Sequence, residues 1–92
     1  MKKRIALLVY PEFSLQEVAN LMYLFRWYFD TFTDVIYTEL SHVESEEGIL
    51  VQPVKTCSQF FKGDYDCLIL PRCSDIRQAI RNKGIKQFLK TL

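Results

Sequence analysis

The sequence lacks any apolar stretch long enough to span a membrane. The run opening at Ile5 stops at Pro11-Glu12 with no small-residue cleavage site behind it, despite the Met1-Lys2-Lys3-Arg4 start. Neither an anchor nor a cleaved leader is expected, and the chain is expected to stay in the cytoplasm. It also lacks an excess of either charge: 12 basic and 11 acidic residues leave a net +1, without the basic surplus of a nucleic-acid binder. No nucleic-acid partner is expected. The one histidine, His42, has no Cys, Asp or Glu at metal-ligand spacing on a shared helix face, so no metal or cofactor is expected. The three cysteines, Cys57, Cys67 and Cys73, are odd in number and irregularly spaced, giving neither a disulfide framework nor a zinc pattern and suiting a reducing compartment. Internal repeats and low-complexity linkers are missing too. Residues 1–92 are read as one domain with room for about three βα units.

What is present is core material: 49% of residues are hydrophobic and 14% aromatic, too apolar a composition for disorder. Arg4-Ile-Ala-Leu-Leu-Val-Tyr10 is a continuous apolar run of the kind found in strands covered on both faces. Pro11-Glu12-Phe13 then turns the chain into a helix over about Leu15–Phe29. On it Leu15, Val18, Ala19, Met22, Phe25 and Phe29 recur at helical spacing as the sheet-facing side. Tyr23, Leu24, Trp27 and Tyr28 form a second apolar side, so this helix is expected to be covered twice.

A second strand is expected over Asp34–Leu40, followed by a solvated acidic loop, Glu44-Ser45-Glu46-Glu47-Gly48. Ile49-Leu50-Val51 reads as a short extended piece, and Val54-Lys55-Thr56 as a hairpin arm or an edge strand. Tyr65-Asp66-Cys67-Leu68-Ile69-Leu70, ended by Pro71, reads as another fully buried strand, with Cys67 in the core. A short helix is expected from the Ser74-Asp75 cap to about Arg81. A last helix is expected over Ile85–Leu92 with Ile85, Phe88, Leu89 and Leu92 inward. The whole predicts an α/β layer, Rossmann-like or flavodoxin-like, with a mostly parallel sheet in which the Ile5 and Leu68 strands are neighbours and the Val35 strand flanks the first.

Three pieces in order resemble the DJ-1/PfpI (ThiJ/PfpI) family of the class I glutamine amidotransferase-like superfamily: Val9–Val18, the segment Ser45–Pro53 with its extended Gly48-Ile49-Leu50-Val51-Gln52-Pro53, and Tyr65-Asp66-Cys67-Leu68-Ile69-Leu70-Pro71. The resemblance covers the whole chain but only the amino-terminal half of the family's domain. It implies a complete form that is a cysteine-dependent hydrolase, glyoxalase or stress-related protein acting on a small electrophilic substrate. The nucleophile elbow and the histidine region that follow in the family are not in this sequence, so these 92 residues alone are expected to be inactive. Where the family has Gly-Gly after the strand's proline, this chain has Arg72-Cys73, and both residues carry a Cβ that disfavours positive φ.

The resemblance makes Glu17 the acidic partner of the absent nucleophile and makes Arg72, Cys73 and Ser74 a polar wall for binding. Glu17 also fits a capping box with Ser14, in which it would return to the Ser14 N–H. Cys73 follows a strand end and precedes a helix start beside Arg72, features that lower a thiol pKa, but it lacks a histidine base nearby in sequence. Cys57 receives no role, and His42 is read as solvated. Tyr23, Trp27 and Tyr28 are candidate interface residues, since relatives commonly dimerise. With no strand beyond it, the Leu68 strand is expected to form an open edge, calling for a homo-oligomer or another partner. A non-catalytic association or regulatory module is the competing reading.

Overall fold

The structure, a computed structural model, describes residues 3–72, 77 and 81–90. β1 (Lys3–Leu8) lies inside a four-stranded parallel sheet of order β5-β2-β1-β6, where β2 is Thr31–Tyr37, β5 is Lys55–Thr56 and β6 is Cys67–Ile69. The continuous run predicts such a place, because a strand with neighbours on both edges and layers on both faces has no solvated side to mark with polar residues. Ile5 through Tyr10 are all buried. Ile5 pairs with Cys67 on one side and Thr33 on the other, as the expected strand order requires.

α1 spans Leu15–Phe29, the expected range. It ends on Asp30 in the left-handed conformation, φ 50°, whose carboxylate also accepts from the Arg26 guanidinium at 2.9 Å. An Asp in this role makes the connection so tight that β2 begins three residues before the expected Asp34. Val18 is the buried contact of α1, and the half-buried Met22 sulfur accepts from the Thr33 hydroxyl. Ala19 and Phe29 were expected inward but are exposed, Phe29 by 64%. The sheet is narrow on that side: Phe25 and Phe29 overhang Ile5 and Cys67 and leave an open apolar groove of about 270 Å³ against β6. Among the described residues the Thr31 hydroxyl oxygen beside it is buried without a partner.

The same narrowness corrects the reading of the Tyr65–Leu70 strand. β6 has three residues, Leu68 and Ile69 are only half-buried, Leu70 is exposed, and Cys67 is exposed rather than in the core. A buried-strand pattern expects cover on both faces, and at this edge the described residues supply it on neither in full.

The opposite sheet face carries Arg4 and Asp34, alternating with the α1-facing Ile5 and Thr33. Here the Tyr65 hydroxyl donates to Asp34 at 2.7 Å, and the Tyr65 ring stacks on Phe60, which meets Phe88 edge-on at 5.0 Å. Phe88 and Ile85 are the buried residues of α2 (Lys83–Lys90), which starts two residues earlier than expected, while Leu89, expected inward, is exposed. Leu92 lies outside the described residues, as does most of the expected Ser74–Arg81 helix.

Gly84 allows α2 to approach the end of β2. A Cβ there would lie 2.5 Å from Thr38 Cγ2 and 3.0 Å from Thr38 Cβ. Gly84→Ala is therefore expected to destabilise by about 1–3 kcal/mol through overpacking, more than the roughly 1 kcal/mol that alanine adds in helix propensity. Urea denaturation of the two forms gives the difference directly.

The acidic segment is not a plain solvated loop. β3 (Val43–Glu44) pairs antiparallel with β4 (Leu50–Val51), and the turn between them buries Ser45, whose hydroxyl accepts from the Ile49 N–H. Gly48 closes this turn at φ 83°, a conformation that suits glycine. β5 takes the edge-strand alternative. No helix among the described residues is long and apolar enough to cross a membrane.

Candidate functional site

From β1 the chain leaves through α1 towards β2 on one side, while β6 lies on the other side of β1. The carboxyl ends of β1 and β6 therefore flank a topological switch point, where open α/β sheets form their ligand crevice. The residues meeting there are Tyr10 to Glu17 from the β1–α1 turn and Leu70 to Arg72 from the exit of β6.

Backbone and side-chain bonds strap the two segments together. The buried Tyr10 hydroxyl donates to the Pro71 carbonyl, and the Ser14 N–H donates to the Arg72 carbonyl at 2.6 Å. The Arg72 N–H donates to Glu17 Oε1 at 3.1 Å, and the Arg72 guanidinium lies 3.9 Å from Glu17 Oε2. Only half of the expected capping box forms. The Ser14 hydroxyl accepts from the Glu17 N–H, but the Glu17 carboxylate crosses to β6 instead of returning to Ser14. Its side chain is half exposed at the mouth of the crevice, and that of Arg72 is 74% exposed.

The helix end that Glu17 leaves is completed by Glu47. Its two carboxylate oxygens accept from the Leu15 and Gln16 N–H groups at 3.1 and 3.0 Å. These bonds, Gln16's first, hold the Glu47 carboxyl below its ordinary pKa. The stability that Glu47 contributes is thus present above the ordinary carboxylate range and lost as pH falls through its lowered folded value. Glu47→Gln is expected to lower the thermal midpoint at neutral pH and to flatten part of its decline in acid. A melting series from pH 7 to pH 3 on both forms shows whether it does.

The turn itself carries backbone strain. Glu12 sits at φ 70°, in the left-handed region, held by its N–H donating to the Glu44 carbonyl, while the Glu46 N–H donates to the Phe13 carbonyl. A non-glycine residue in this region costs on the order of 1–2 kcal/mol, and such positions concentrate at ligand-binding turns.

Of the sequence candidates, the structure brings Glu17 and Arg72 together. Cys73 and Ser74 lie outside the described residues. Because the Arg72 N–H is engaged by Glu17, it does not stand ready as a donor to a developing oxyanion. Tyr23, Trp27 and Tyr28 are all exposed on α1, by 61%, 72% and 76%, away from the crevice. His42 is exposed in the β2–β3 connection. Cys57 is half-buried, and burial pushes its thiol up to about 11. No group of three His, Cys, Asp or Glu residues among the described residues is placed to hold a metal. Sequence reasoning missed Tyr10, Glu12 and Glu47. Tyr10 ends the opening apolar run and Glu12 stands in the turn after it, but Glu47 lies 31 residues from Gln16 and nothing local announces the contact.

No protein-family model and no curated protein matches this sequence. Solved structures do. A DJ-1 superfamily protein of Agrobacterium tumefaciens superposes with a TM-score of 0.78 at 22% identity, over 97% of this chain and 49% of its own. A ThiJ/PfpI family protein of Pseudomonas syringae gives 0.82 at 21%, over 97% and 37%. Oxidized DJ-1 of Toxoplasma gondii gives 0.73 at 19%, over 97% and 49%. The chain has the α/β fold of these DJ-1/ThiJ/PfpI superfamily proteins and spans about half, or less, of the length of each.

Proposed function

We propose that this chain is the amino-terminal part of a DJ-1/PfpI-like domain, working in the cytoplasm, whose complete form is a cysteine-dependent hydrolase, glyoxalase or stress-related protein. The observation that carries this reading is the Glu17 carboxylate held at the β1–β6 switch point by the Arg72 N–H. That is where an acidic partner must stand if a thiol arrives from the strand beyond β6. The apolar groove of Phe25, Phe29, Ile5 and Cys67 and the half-covered β6 support it further, since a segment completing the sheet would cover both.

In this reading Glu17 shares a hydrogen bond with the nucleophile and takes or returns its proton, and Arg72 and the residues after it form the polar wall against a small electrophilic substrate. The nucleophile and its base come from the completing segment. Neither methylglyoxal nor a small ester is expected to be consumed by residues 1–92 alone, and both should be tried as substrates of the whole protein that carries them. Thiol-dependent turnover by the 92 residues alone would overturn the assignment.

A second reading, a non-catalytic association module, is favoured by a different observation: the Tyr23 and Trp27 rings pack against each other, centroids 6.3 Å apart, on a helix face that no described residue covers. The two readings are compatible if the face joins copies of the complete protein.

A further inference from the structure

A separate cleft of about 280 Å³ opens at the carboxyl ends of β2 and β5, lined by Thr38, Cys57, Ser58, Gly84, Gln87 and Phe88. Tyr37 pairs with Thr56 at the end of this parallel ladder, so the cleft occupies the crevice side of the sheet, two strands from the Leu70–Arg72 exit of β6. None of its lining residues is charged. Phe88 supplies an aromatic wall fixed edge-on against Phe60. The Ser58 hydroxyl is engaged with that of Thr56 at 2.8 Å, but among the described residues neither the Thr38 hydroxyl nor the Gln87 amide makes a hydrogen bond. At one margin of the cleft Gly84 lets α2 lie directly against Thr38, where a Cβ would come within 2.5 Å of Thr38 Cγ2.

We propose that this cleft binds a small uncharged ring compound carrying an amide-like donor and acceptor, the ring lying against Phe88 and the polar pair meeting Thr38 and Gln87. Its volume falls at the low end of ligand pockets, which suits a single ring and excludes a dinucleotide. A charged ligand would find no counter-charge and would lose its hydration. With its thiol pushed up to about 11, Cys57 is neutral at physiological pH, so binding is non-covalent.

Benzamide is the probe, titrated into the isotope-labelled protein, expressed with whatever sequence naturally accompanies these residues, and followed by NMR. Saturable shifts centred on Gly84, Gln87 and Phe88 are expected, with benzoate at least about tenfold weaker. Gln87→Ala, at an exposed position that the fold does not depend on, should weaken benzamide about fivefold through the loss of one hydrogen bond. The proposal is overturned if benzamide produces no saturable shift in this region, if benzoate binds as well, or if Gln87→Ala binds benzamide as tightly as the parent protein.

Discussion

Glu17→Gln, made in the whole protein that carries this chain, is expected to lower turnover about 10²-fold, the lower end of what a positioned proton-transfer group contributes. The thermal midpoint should barely move. A glutamine amide oxygen can still accept from the Arg72 N–H at the position of Glu17 Oε1, so the strap between α1 and β6 survives. Its amide NH₂ can still donate to a neighbouring thiolate, which keeps the loss from being larger. What it cannot do is change protonation state. Measured as kcat and KM on methylglyoxal, the effect should fall on kcat, with Glu17→Asp recovering part of it. A Glu17→Gln protein with full activity and an unchanged pH profile would reduce Glu17 to a strut for the β6 exit.

The second large effect concerns association. Trp27→Asp should weaken self-association by at least about 2 kcal/mol, roughly 30-fold, as expected for a tryptophan at the centre of an interface. The fold should tolerate it, because Trp27 is 72% exposed and its ring packs on Tyr23 rather than on the sheet. Sedimentation equilibrium over a concentration series separates the outcomes. If the parent protein is oligomeric and Trp27→Asp leaves its dissociation constant unchanged, copies do not meet through this helix face.

The sequence was most legible where a segment's pattern and its surroundings agree. The Ile5 strand is covered on both faces and hydrogen-bonded on both edges, so its apolar run and its place in the sheet express the same fact. α1 was legible for a similar reason: its start is marked by Ser14, and its range follows from periodicity. Illegibility followed from contacts between distant segments. Glu44-Ser45-Glu46-Glu47 has the composition of a wet loop, yet Ser45 is buried and Glu47 closes a helix 31 residues away. Composition counts charges and does not say which backbone donors they meet. The place of Glu17 at the start of α1 is legible in the sequence, but its partner across the crevice, the Arg72 N–H, has no sequence signature, because every residue except proline carries that donor.

The β6 errors share one origin. Cys67-Leu68-Ile69 has a core strand's sequence in an edge strand's setting, and Phe29 has a core side chain at an open groove. A pattern of this kind describes the environment for which the residues are suited. Here that suited environment and the described sheet disagree, which supports the proposal that a further segment lies against β6.

Backbone amide exchange along β6, measured on the protein isolated from its own cells, tests that claim most directly. The amides of Cys67–Ile69 that do not donate to β1 are predicted to be protected to the same degree as those that do, because a further strand from the completing segment takes them. If they exchange at the rate of unprotected amides while the β1-directed ones stay slow, β6 is a bare edge in the working protein, and the account of this chain as part of a larger sheet is contradicted.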